Sequence, residues 1–175
     1  MNGFISEIGN IVIPAVAASI TSATTSAYIN TRDCDAVECG ILLQAGAGAT
    51  SAENFTIEVL AASDASGTGA EVVSFEVVFR TLGAPGIAAG TGLATRLEQE
   101  VSAGVLGKVA SYVTLAANGD KQEQIVIPIR ARQLPAGKSW VALRATKSTN
   151  NRTGMFFFVR SGNKYATDAN QVDIL

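Results

Sequence analysis

The chain contains no histidine. That removes the commonest general base, the commonest neutral metal ligand and the one side chain that ordinarily titrates near neutral pH. A serine nucleophile would need lysine as its base, and the Gly-x-Ser-x-Gly elbow is missing. Charge is also scarce: 16% of residues are Asp, Glu, Lys or Arg and the net charge is −2, against about a quarter charged in an average domain. Such a balance gives no electrostatic footprint for nucleic acid or an anionic membrane. Aromatics make up 6%, with one tryptophan and three tyrosines, too few to advertise a platform for stacking sugars or bases. No apolar run approaches the ~20 residues of a membrane-spanning helix.

Cys34 and Cys39 are the only cysteines. On an extended segment they point to opposite faces and lie too far apart to bridge, so a disulfide needs a turn at Asp35–Ala36. The spacing predicts that Cys39 is a buried free thiol, acting as a small hydrophobe in a chain that folds under reducing conditions. The N-terminus holds Ala15-Val16-Ala17, similar to a signal-peptide cleavage site. It also holds Glu7, with no Lys or Arg ahead of a short apolar run, so a soluble, unprocessed chain is expected.

What the sequence does have is alternation. With 175 residues, 47% of them hydrophobic, it can bury a single sizeable core. From Asp33 to Phe79, three sets alternate with smaller or more polar neighbours: Val37, Cys39, Ile41, Leu43 and Ala45; Phe55, Ile57, Val59 and Ala61; Val73, Phe75, Val77 and Phe79. A period of two places each set on one face of a strand, and the Gly-rich turns between them predict a three-stranded antiparallel meander with one oily face. Further strands are expected over Ile11–Ala17, at an edge because of Pro14, and over Lys108–Ala116, with Val109, Val113 and Leu115 inward. Asn118-Gly119 reads as a hairpin turn into Gln122–Arg132, where Ile125, Ile127, Ile129 and Ala131 share a face and Pro128 demands an edge or a bulge. Ser139–Thr146 and Met155–Arg160 follow, the latter with three consecutive phenylalanines suited to cover on both faces. Leu93, Leu97, Val101 and Val105, with Thr95 and Glu98 as a capping box, predict one short helix over 95–103. The fold class is all-β, a two-sheet antiparallel sandwich resembling a jelly roll, with at most that one helix and an extended N-terminal arm. Residues 1–18 form the arm and edge strand, 19–160 the sandwich, and 161–175 a tail.

Candidate chemistry is thin. Glu58 and Glu76 sit at outward positions and could be cross-strand neighbours, the minimum for a glycosidase pair, which needs carboxylates about 5–10 Å apart. A solvated strand face is the simpler account. Asp33, Asp35 and Glu38 cluster without the glycine and spacing of a calcium loop, and Asp168, Asn170 and Asp173 form a similar weak group, so no metal, cofactor or catalytic residue is assigned. Arg130, Arg132, Lys138, Arg144, Lys147, Arg152, Arg160 and Lys164 concentrate in the last third while acids lean toward the first half. Chains with separated signs dock head-to-tail or onto an acidic partner. The candidate partner-binding residues are Phe4, Ile5, Ile8 and Ile11 on the arm, with Arg130, Arg132 and Arg144.

Arg32-Asp33-Cys34-Asp35 leading into Val37–Gln44, the Ala45–Gly48 loop, the Asn54–Leu60 strand and the Ser63-Asp-Ala-Ser-Gly-Thr-Gly69 turn together resemble a family of small head proteins of tailed bacteriophages. The resemblance covers about a quarter of the chain. An aromatic common after the acidic turn is replaced by Ala36 and Val37. It implies a capsid decoration (cement) protein: a non-enzymatic β-sandwich made in the host bacterial cytoplasm and seated on the virion exterior. It also implies the major capsid protein as partner, self-association as a homotrimer, and neither nucleic acid nor membrane as ligand. An alternative is a tail or fibre module binding carbohydrate, with exposed aromatics near Trp140 and Tyr165.

Overall fold

In the computed structural model, which describes residues 9–13, 18–20, 22–44, 54–82, 95–102, 105–115, 122–147 and 152–162, nearly every alternating segment is a strand. In chain order these are β1 (Gly9–Val12), β2 (Ala18–Ile20), β3 (Thr24–Thr25), β4 (Ile29–Asn30), β5 (Ala36–Leu43), β6 (Phe55–Ala62), β7 (Glu71–Val73) and β8 (Val77–Leu82). There follow β9 (Thr95–Glu98), β10 (Glu100–Ser102), β11 (Val105–Leu106), β12 (Tyr112–Val113), β13 (Glu123–Arg130), β14 (Trp140–Lys147) and β15 (Arg152–Ser161). They build two packed antiparallel sheets. Sheet one runs β1-β15-β5-β13-β8-β9, with β2 also on β15; sheet two runs β12-β6-β14-β3, with β7 on β6 and β4 on β14. A short ribbon, β10-β11, stands apart.

The inner faces are those the alternation predicts. Val37, Cys39, Ile41 and Leu43 of β5 and Ile125, Ile127 and Ile129 of β13 meet Phe55, Ile57, Val59 and Ala61 of β6 and Val141, Leu143 and Ala145 of β14, all at most 1% exposed. Phe156 and Phe158 complete the core from β15, while Phe157 points the other way. Burying such a side chain stabilises the fold by about 1.5–3 kcal/mol, so a one-residue slip in any of these strands would cost several such terms at once.

The meander does not form. β5 pairs with β13 and β15 in sheet one, whereas β6 pairs with β14 in sheet two, so the two strands face each other across the core. The segment from Glu71 to Phe79 divides between the sheets: β7 pairs with β6, and β8 with β13 and β9. At the corner, Phe75 exchanges both backbone hydrogen bonds with Val109 (3.0 and 2.9 Å). Beyond it the inward parity shifts, so that Val78 is buried in place of Val77.

Four further expectations are corrected. The helix over 95–103 is replaced by β9 and β10, because Thr95–Glu98 completes the open edge of β8, and backbone pairing outweighs a weak helical spacing. Tyr112 and Thr114 face inward, leaving Val113 and Leu115 about half exposed. The connection after β12 joins two different sheets, since β12 pairs with β6 and β13 lies in sheet one, so these strands are not a hairpin; Asn118-Gly119 itself lies outside the described residues. Ala131, expected inward at the end of a strand, is half-buried and opens a 3-10 turn, Ala131–Gln133. Both cysteines are free and buried. Cys34 sits in a turn where its Sγ donates to the Thr31 carbonyl at 3.3 Å, and burial pushes both thiols' pKa values up.

Candidate interaction surface

The outward-facing residues of sheet one include an apolar group, flanked by Glu38, Gln124, Thr81 and Arg130 on the same strands. Register sets Phe157, Gly40, Val126 and Phe79 side by side across β15, β5, β13 and β8. Met155 and Leu42 pair in the next row, and Val159, Glu38 and Pro128 in the row on the other side. Each of the apolar members is half-buried. Gly40 is required by its neighbour: a Cβ there would lie 2.1 Å from Phe157 Cζ, so the ring occupies the space over the glycine. Ile11 of β1 pairs with Val159 at the edge of this sheet.

Beside this face the sheet splays. Pairing of β8 with β13 ends at Phe79 opposite Val126. Pro128, two residues on, has no N–H to donate and cannot extend that ladder, so the edge character predicted for Pro128 is local to one side of a central strand. A cleft of about 430 Å³ opens there, lined by Glu76, Val77, Lys108, Pro128, Arg130, Arg132 and Gln133. The 3-10 turn sets the arginines: Ala131 N–H donates to the Asp35 carbonyl at 2.8 Å, and Arg130 N–H donates to Gln133 Oε1 at 2.7 Å. Lys108 arrives through the Phe75–Val109 bridge next to it. A second cleft of about 320 Å³ shares Glu76 and Val77 and is lined also by Arg96, Glu98, Gln99, Leu106 and Gly107, with Leu106 56% exposed at its rim.

The other concentration of polar groups is internal. At the opposite end of the sandwich Arg152 and Glu123, both wholly buried, form an ion pair at 3.5 Å. Arg152 Nε donates to the Gln44 carbonyl at 2.8 Å, and its guanidinium lies 5.8 Å from the centroid of Phe55. Nearby, Arg80 donates to the Tyr112 hydroxyl at 3.4 Å across the two sheets. Burial raises the Tyr112 pKa, with Arg80 opposing. The Arg152–Glu123 pair ties the ends of β5, β13 and β15 together with both charges buried.

Of the residues singled out in the sequence, Arg130 and Arg132 are brought together in one cleft. Arg144 is not with them: it lies on the outer face of sheet two, where its Nε donates to Glu58 Oε2 at 2.7 Å, a bond that raises the Arg144 pKa. Glu58 is therefore engaged there, while Glu76 stands in the corner between β7 and β8, so the proposed carboxylate pair is not assembled. Phe4, Ile5 and Ile8 lie outside the described residues, as do Tyr165 and the group Asp168, Asn170 and Asp173. Trp140 is half-buried, paired with Ala62 and Asn30. Among the described residues no group of three or more Asp, Glu or Cys side chains is placed to hold a metal, Asp33, Asp35 and Glu38 being exposed around the turn into β5.

Sequence reasoning missed Lys108, which it placed at the start of a strand, and it missed the apolar outer face. The second signal was available: Leu42, Val126, Phe157 and Val159 stand at outward positions of strands whose inward positions are also apolar, a pattern for strands covered on both sides. Compared with family models, curated proteins and solved structures, the chain matches none.

Proposed function

We propose that this chain is a non-enzymatic adhesion module of a virus particle: a decoration, or cement, protein that binds the outer surface of a bacteriophage capsid and stabilises it, acting as a homotrimer. The observation that carries the reading is the outer face of sheet one, where Phe79, Val126, Leu42, Met155, Phe157 and Val159 make a continuous apolar surface on four adjoining strands. Each of these side chains is half-buried, and apolar surface gathered on the outer face of neighbouring strands suits contact with a partner. The resemblance of residues 32–69 to phage head proteins supplies the identity of the partner, the major capsid protein. The low overall charge suits close lateral packing of copies.

A protein that binds only the assembled shell adds its binding free energy to the stability of the particle. Purified protein is therefore expected to be taken up by expanded capsids and to raise the temperature at which they rupture, and Val126→Lys is expected to reduce uptake. The mass of the protein in solution checks the trimer. Shells that take up none of the protein overturn the assignment.

A further inference from the structure

Ion pairing in this protein is selective. Arg96, Lys138, Arg144 and Arg152 each pair with a carboxylate among the described residues. Lys108, Arg130 and Arg132, like Arg32, Arg80 and Arg160, form no ion pair among the described residues, but these three are all exposed and line the same cleft. Lys108 lies more than twenty residues before the two arginines, and the three are gathered by the Phe75–Val109 bridge and the 3-10 turn after β13. Three cations against the single carboxylate of Glu76 leave the cleft with an excess of positive charge, and like charges repel one another, a cost relieved when an anion binds.

The shape narrows the anion. The cleft opens where β8 and β13 part, and Val77 and Pro128 join it to the apolar row of Phe79 and Val126. Carboxylates match guanidinium groups in paired hydrogen bonds. A nucleic-acid backbone fits less well, because Glu76 lies inside the cleft and the chain's net charge is −2, whereas polyphosphate binding rests on a uniformly basic surface. We propose that the Lys108–Arg130–Arg132 cleft receives an extended acidic peptide segment of a partner protein, with apolar residues of that segment continuing onto the outer face of sheet one beside Val126 and Phe79.

This rests on the docking reading above, and the peptide titration that tests it uses no capsid, so the two can fail separately. Full-length protein is titrated with a fluorescent Asp/Glu-rich peptide carrying leucines at one end. A Lys-rich counterpart and a single-stranded oligonucleotide of equal negative charge are titrated in parallel, and polarisation is the readout. The acidic peptide is expected to bind, more weakly as salt rises. Arg130→Glu combined with Arg132→Glu is expected to weaken binding by about tenfold or more, equivalent to about 1.4 kcal/mol, and Lys108→Glu to act in the same direction. Lys147→Gln, at the far end of the other sheet, is expected to bind as the wild type does. The inference is overturned if the acidic peptide fails to bind at low salt, if the oligonucleotide binds more tightly, or if the charge reversals leave affinity unchanged. Normal capsid uptake by the Arg130→Glu, Arg132→Glu protein would likewise remove the cleft from the docking surface while leaving capsid binding intact.

Discussion

Replacing Arg152 with methionine removes the cation from a wholly buried pair and leaves the Glu123 carboxylate in the core. At the observed 3.5 Å, and with an effective dielectric of about 20, the attraction lost is about 5 kcal/mol. The desolvation that opposed it was several kcal/mol per ion, so the intact pair contributes little net stability, while its breakage leaves a buried charge without its ion-pair partner, costing about 3–5 kcal/mol. Against the 5–15 kcal/mol of a typical domain, either Arg152→Met or Glu123→Leu alone is expected to be severe. The double variant removes both charges, leaving mainly the Gln44 carbonyl without its donor from Arg152 Nε, so its loss is expected at about 1–3 kcal/mol, less than either single change. Urea denaturation of the four proteins, with the slope checked for constancy, measures these terms. A double variant that loses the sum of the two single losses would show that the two side chains act independently, and the reasoning would fail.

Gly40→Ala places a methyl 2.1 Å from the Phe157 ring and is expected to cost about 1–3 kcal/mol by displacing the ring; combined with Phe157→Ala it should cost less than the two changes added, as a double-mutant cycle would show. The raised pKa values of Cys34 and Cys39 mean that the unfolded chain releases these protons first. Stability is therefore full below the ordinary thiol pKa of about 8.5 and falls as pH rises through it. Native protein should accordingly resist a thiol reagent until denaturant is added, and rapid labelling of both cysteines in the folded state would contradict their burial.

Local chemistry fixed a good deal here in advance. A period of two is a property of neighbouring residues, so the inner faces of β5, β6, β13 and β14 were legible residue by residue. Turns were equally legible: Gly67 and Gly69 adopt positive φ (82° and 58°) after Asp64, and Gly137 does so (76°) after Pro135. Together these determined an all-β sandwich. Alternation says which way a side chain points but not which strand lies alongside, and the connections here are long enough to let consecutive strands join different sheets. Hence β5 and β6 became opposite walls of the core, and the run from Glu71 to Phe79 turned a corner and changed parity. The edge of β8, available only in the folded chain, drew Thr95–Glu98 into a strand. The cleft has the same origin: Lys108, placed by the Phe75–Val109 bridge, shares it with Arg130 and Arg132 where β8 and β13 part beside Pro128, a juxtaposition of distant segments that no local pattern encodes.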